Sequence, residues 1–223
     1  MSGAVIILNA RLNRKPSKKC KMNNFTEKVK SLIANLSDDR LLLFCNLNCE
    51  KVLPGYQIFT EVENWGNYEF FKSLNQDVYR LVADKQVRNY RQWSKQLEDN
   101  FPDLDDFDSI SASYAFDACV VFDETILFLI DGDRGHASNN STGVLDTVDM
   151  FIQLKENVQG TSYNNLPALE KLIESDEYMQ REYKRQIVLL EELQKIEISE
   201  AGIKSLRKMN DDFGPLIDYN TLR

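Results

Sequence analysis

A chain of 223 residues with 43% hydrophobic and 28% charged residues has the make-up of a globular protein that one hydrophobic core can serve, which excludes a wholly disordered chain. The net charge of −8 is unevenly spread: residues 1–21 hold Arg11, Arg14, Lys15, Lys18, Lys19 and Lys21 and no acid, so the rest carries 21 basic against 35 acidic groups, or −14. A body this acidic repels phosphate backbones and argues against nucleic acid as a partner, and no apolar run reaches the roughly 20 residues that cross a bilayer, which argues against a membrane.

In chain order, the basic charges of residues 1–21 follow the apolar stretch AVIIL instead of preceding it, the reverse of a secretory leader. Met22 opens MNNFTEKVKSL as a natural start would, so residues 1–21 read as a disordered or non-native tail and residues 22–223 as a single helical domain. Apolar residues recur at spacings of three and four throughout that body, and alternating stretches are scarce. The fold class is therefore all-α, a single multi-helical bundle.

A short helix is expected over residues 25–35. Ser37 reads as an N-cap, with Asp38 and Asp39 in the first turn, leading into the apolar RLLLFCNLNCEKV. Pro54 suits the first turn of a separate helix, PGYQIFTEVENW, ended near Gly66. Helices over residues 68–84 and 90–100 follow, the second stopped by Pro102. The central element spans residues 106–130 and is apolar on nearly every face, the mark of a buried helix; its serines and alanines let neighbouring backbones approach. DGDRGHASNNSTG reads as an exposed loop that holds the only histidine, His136. Further helices are expected over 144–158, 166–174, 175–196 and 199–210, with Ser175 and Ser199 as caps. In the 175–196 helix, Met179, Tyr183, Ile187, Leu190 and Leu193 form a stripe that packs on the chain's own core.

Chemistry-bearing patterns are few. Cys45 and Cys49 share a helix face, but two thiols are two ligands short of a zinc site; buried thiols in a reducing compartment are the expectation, with no metal and no cofactor. Asp103, Asp105, Asp106 and Asp108 crowd the start of the central helix, where a dipole favours negative charge, so capping is their expected role. Asp106, Asp117 and Glu124 are eleven and seven residues apart and fall within about 20° of one another on a helix. Asp146 and Asp149 share a face of the next helix. If those helices pack antiparallel, Asp106, Asp117, Glu124, Asp146 and Asp149 converge into an acidic cluster suited to magnesium or manganese. DTVD faintly resembles the acidic spacing of helical magnesium-dependent nucleotide pyrophosphatases, but no complete motif accompanies it, and no residue is assigned a catalytic role. Asp117, inside YAFDACVV, is expected to be a buried acid held by hydrogen bonds that keeps helices in register. Trp65, just before Gly66, is a candidate interface anchor.

CEKVLPGYQIFTEV and QLEDNFPDLDDFDSISASYAFDACVVFDE together resemble the YjaG-like family of bacterial proteins, domain-of-unknown-function family 416. The shared elements are Pro54, Tyr56 and Phe59, then Asp105 to Asp108, then Ala115, Asp117, Ala118 and Cys119. The resemblance implies an all-helical bundle in a bacterial cytosol and implies no activity. The strongly negative body with no assembled catalytic set points to a non-enzymatic interaction or regulatory protein, such as an immunity-type partner of a basic protein, and the resemblance implies a cytoplasmic location and a signalling accessory as the other form of that role. The alternative is a metal-dependent phosphohydrolase acting through the acidic cluster. A protein partner is expected, and the sequence sets no oligomeric state.

Overall fold

The computed structural model describes residues 21–84, 89–157 and 166–222. Among these residues the chain forms nine α-helices, a short 3-10 turn and no strand. The helices are α1 (Lys21–Ala34), α2 (Asp38–Glu63), α3 (Tyr68–Asp84), α4 (Tyr90–Glu98), α5 (Ile110–Asp131), α6 (Gly135–Lys155), α7 (Leu166–Ser175), α8 (Glu177–Leu193) and α9 (Glu200–Asp212), followed by the 3-10 turn at Tyr219–Leu222. The all-α expectation holds. The basic tail lies, but for Lys21, outside the described residues.

The core is built on α2 and α5, which lie side by side. α3 and α6 cover α2, α4 and α6 cover α5, and α8 bridges α1, α6 and α7. α5 is surrounded as its composition demands, with Tyr114, Ala115, Ala118, Cys119, Val121 and Phe122 all at 0 or 1% exposure. Small residues set the spacing of this layer. A Cβ built on Gly143 of α6 would stand 2.9 Å from Val121 Cγ2, so α6 lies against α5 at a distance that only glycine permits without a shift.

Two boundaries differ from the sequence reading. Pro54 does not start a new helix: α2 runs unbroken from Asp38 to Glu63 with the proline inside it. An interior proline costs about 3 kcal/mol. Burying Tyr56, Ile58 and Phe59 on the far side returns roughly 1.5–3 kcal/mol for each side chain, so packing prevails. DGDRGHASNNSTG is likewise not a loop. Gly132, at φ 75°, caps α5, and α6 already begins at Gly135. Ala137, Asn140, Ser141 and Val144 take the i, i+3, i+4 and i+7 positions and are all buried, so tertiary contact overrides the weak helix preference of Gly, Asn and Ser.

Caps are mixed in outcome. Ser199 accepts from Gly202 N as expected, whereas α8 is capped by Asp176, which accepts from Tyr178 N, and not by Ser175. α5 begins at Ile110 behind Ser109, with no acid in its first turn, so Asp103 to Asp108 precede the helix and do not cap it. Asp103 instead closes its own turn by accepting from Asp105 N at 3.0 Å.

Candidate functional site

Of the five carboxylates of the expected cluster, Asp117 and Glu124 lie on α5, Asp146 and Asp149 on α6, and Asp106 in the segment before α5. Asp106 is exposed in the segment before α5, where its N–H donates to Asp103 O at 3.0 Å. Asp117 is buried in α5 at 5% exposure and accepts from Thr147 Oγ1 of α6 at 3.3 Å. Glu124, two turns further on, also faces α6: its Oε2 lies 2.6 Å from His136 Nδ1 and its Oε1 accepts from Asn139 at 3.1 Å. Asp146 is half-buried on α6, and Asp149, 7% exposed, accepts from Gln153 at 2.6 Å. Among the described residues no group of three or more His, Cys, Asp or Glu side chains stands where it could hold a metal ion.

His136 is not a loop histidine in solvent. Its ring sits at the α5–α6 corner with Glu124 on Nδ1 and Asp131 on Nε2, the latter at 3.1 Å. Partial burial disfavours the charged ring, but the hydrogen bonds it donates to Glu124 and Asp131 outweigh this and raise the pKa above the usual histidine value. Cys45, Cys49 and Cys119 are buried free thiols. Burial raises all three pKa values, that of Cys49 to about 12, so these sulfurs stay protonated and are poor metal ligands.

A polar seam through the centre of the bundle escaped the sequence reading. Arg185 of α8, 1% exposed, donates through Nε and Nη2 to Glu182 at 2.7 and 2.5 Å, through Nη1 to Asn210 at 2.8 Å and through Nη2 to Asn48 at 2.7 Å. Asn48 in turn donates to Asn140 Oδ1 at 2.8 Å, and Asn140 donates to Val121 O and Thr125 Oγ1 at 2.9 and 3.0 Å. Gln186 donates to Glu182 at 2.7 Å and accepts from Ser141. Such a seam is stable only when its members satisfy one another. The sequence did carry a signal. Glu182, Arg185, Gln186 and Leu189 stand at i, i+3, i+4 and i+7 on the buried face of α8, and Ile187 of the expected stripe is only half-buried.

The outer face offers a different kind of surface. Residues 98–108, EDNFPDLDDFD, contain no lysine or arginine, and Glu98, Asp99, Asp103, Asp105, Asp106 and Asp108 are all exposed. The segment is pinned from beneath by an aromatic cluster. Phe107 meets Phe59 edge-on at 4.9 Å and Trp65 at 5.5 Å, and Trp65 meets Phe59 at 5.7 Å. Trp65 is half-buried, with Phe107 beside it. The negative field reaches neighbouring α5. Partial burial, followed by the charges of Glu124 and Glu98, raises the Asp123 pKa above the usual carboxylate range.

Comparison with known proteins agrees with this architecture. The model of a family described as "Protein of unknown function (DUF416)" matches residues 28–214. An uncharacterized protein of Haemophilus influenzae is 26% identical over 103 residues, covering 45% of this chain and 53% of that protein, so the chain matches about half the relative's length. In shape, the chain is similar to the crystal structure of a DUF416 family protein from Shewanella baltica OS155, with a TM-score of 0.74 and 24% identity, covering 84% of this chain and 95% of that one. This likeness shows the fold alone.

Proposed function

The chain belongs to the DUF416 family of proteins of unknown function, and from that premise we propose that it is a non-enzymatic, cytoplasmic interaction or regulatory protein that docks a basic protein partner on the acidic surface of residues 98–108. The observation that carries the reading is the concentration of six exposed carboxylates without a basic residue, held in place over the Trp65–Phe107 pair. Charge of one sign on a pinned backbone steers and orients a partner of the opposite sign, and a half-buried tryptophan at its edge supplies an apolar anchor. No helix among the described residues is long and apolar enough to cross a membrane.

The test is retention of partners from the native host at low salt by the wild type and by a variant with Asp103, Asp105, Asp106 and Asp108 all changed to Asn. The wild type should retain a basic protein that high salt releases, and the variant should lose it while keeping its helical circular dichroism. Equal retention by both proteins sinks the assignment of this surface. Retention of nothing by the wild type sinks the function. For the phosphohydrolase reading, the hydrogen bonds that tie Asp117 and Glu124 into α6 speak against their use as cation ligands. Calorimetric binding of magnesium or manganese that is lost in Glu124→Gln would restore it.

A further inference from the structure

Where the segment after α9 crosses α2 beside Pro54, the surface dips into a cleft of about 320 Å³ lined by Glu50, Lys51, Asp211, Gly214, Leu216 and Tyr219. Lys51 is its unusual member. It is only 7% exposed, and its amine donates to a neutral carbonyl, Gly214 O, at 2.7 Å. Burial, and after it the nearby guanidinium of Arg185, lowers its pKa to about 8 against the opposing pull of Glu182, Asp211 and Glu50. Near neutral pH a lysine of this kind exposes on the order of a hundred times more free amine than an ordinary one. Desolvation and a neighbouring cation are the two devices that turn lysine into a nucleophile.

We propose that Lys51 is a nucleophilic amine that condenses reversibly with small neutral aldehydes entering this cleft, a covalent modification site distinct from the acidic docking surface. The ammonium first releases one proton to solvent, and the freed lone pair of Nζ forms a bond to the carbonyl carbon as the π pair moves to oxygen. One further proton from nitrogen and one returned by solvent leave with that oxygen as water, so overall the ammonium and the aldehyde become an iminium and water with no oxidant or reductant. The iminium keeps a single N–H, the number needed to retain the Gly214 carbonyl. Asp211 in the lining disfavours an anionic carbonyl compound, the charge of Glu50 being paired with Arg207 at 2.6 Å, and Pro54 and Leu216 offer an apolar wall to a short alkyl chain.

The test uses the full chain with propanal and sodium cyanoborohydride near neutral pH, which fixes each imine as a propyl amine for peptide mapping by mass spectrometry. Lys51 should be labelled about tenfold faster than the exposed Lys72, Lys184 and Lys208, the margin left after its poorer access offsets its larger neutral fraction. The Lys51 rate should level off above about pH 8 while those of the exposed lysines keep rising. Lys51→Arg, whose guanidinium stays charged where burial and Arg185 disfavour charge, should lower the melting temperature, keep the helical circular dichroism and abolish the fast-labelled site. Labelling of Lys51 no faster than the exposed lysines overturns the proposal. Pyruvate in place of propanal should label Lys51 more slowly, and an equal or faster rate overturns the substrate class.

Discussion

Arg185 of α8 donates to Asn48 of α2 at 2.7 Å, joining residues 137 apart in the chain at the centre of the bundle. With Glu182 it forms an ion pair whose side chains are 2 and 3% exposed. Removing one partner leaves a buried charge uncompensated, so Arg185→Met should cost about 3–5 kcal/mol in chemical denaturation. Adding Glu182→Leu removes the stranded carboxylate and should recover a large part of that loss. A double variant less stable than Arg185→Met would show that the carboxylate's other bonds, such as that from Gln186, outweigh its charge.

Asp117 holds α5 and α6 together through Thr147, and Asn in its place keeps an acceptor while losing the charge. Asp117→Asn should lower stability by about 1 kcal/mol and leave partner retention unchanged. Urea melts and the retention assay, run on one preparation, separate the two effects. Loss of the partner from a fully folded variant would move Asp117 from the frame to the docking site.

His136 makes stability depend on pH. Its folded pKa is raised above the unfolded value of about 6.5, so its contribution is fully present below that pH and fades as pH rises through the folded pKa. Asp131, held below the usual carboxylate range chiefly by the Asp133 N–H, stays ionised across this window. His136→Ala should therefore destabilise the protein more in mildly acidic than in alkaline buffer. Denaturation at the two pH values checks the sign, and a larger penalty on the alkaline side would contradict it.

Gly143 tests the contact between α5 and α6. Alanine gains about 1 kcal/mol of helix propensity, but its Cβ meets the buried Val121 at 2.9 Å, and overpacking of that kind costs about 1–3 kcal/mol. A net loss of about 1 kcal/mol is expected. Adding Val121→Ala, which makes room, should render Gly143→Ala favourable. Calorimetric melting of the four proteins of this cycle measures the coupling.

The helical class was legible because spacing of three and four runs through the chain, and α3 was read at its observed limits, Tyr68–Asp84. The start of α6 was not, since Gly135, Ser138, Asn139 and Asn140 carry loop propensity, and it is the burial of Ala137, Asn140, Ser141 and Val144 that holds the segment helical. Pro54 misled for the same reason. At the site, Asp117 stood out as a lone acid in an apolar run and is buried as its surroundings required. Angular position along one helix, which grouped Asp117 with Asp106 and Glu124, says nothing of what the facing helix presents. Glu124 meets His136, which the sequence places in an exposed loop, and Asp106 lies outside the helix altogether. Arg185 and Lys51 were hidden by the rule that charges point outward, and only their partners 137 and 163 residues away reveal otherwise.

The seam from Asn48 to Asn210 also dictates when this protein can be finished. Asn48 and Asn140 are enclosed by helices formed early in the chain, yet the guanidinium that satisfies Asn48 arrives with residue 185, and the amide that completes the guanidinium arrives with residue 210. A nascent chain emerging from the ribosome therefore carries an interior whose wiring is open until α9 is out. Products that stop before residue 210 should leave the Arg185 guanidinium incomplete and be more open to proteases.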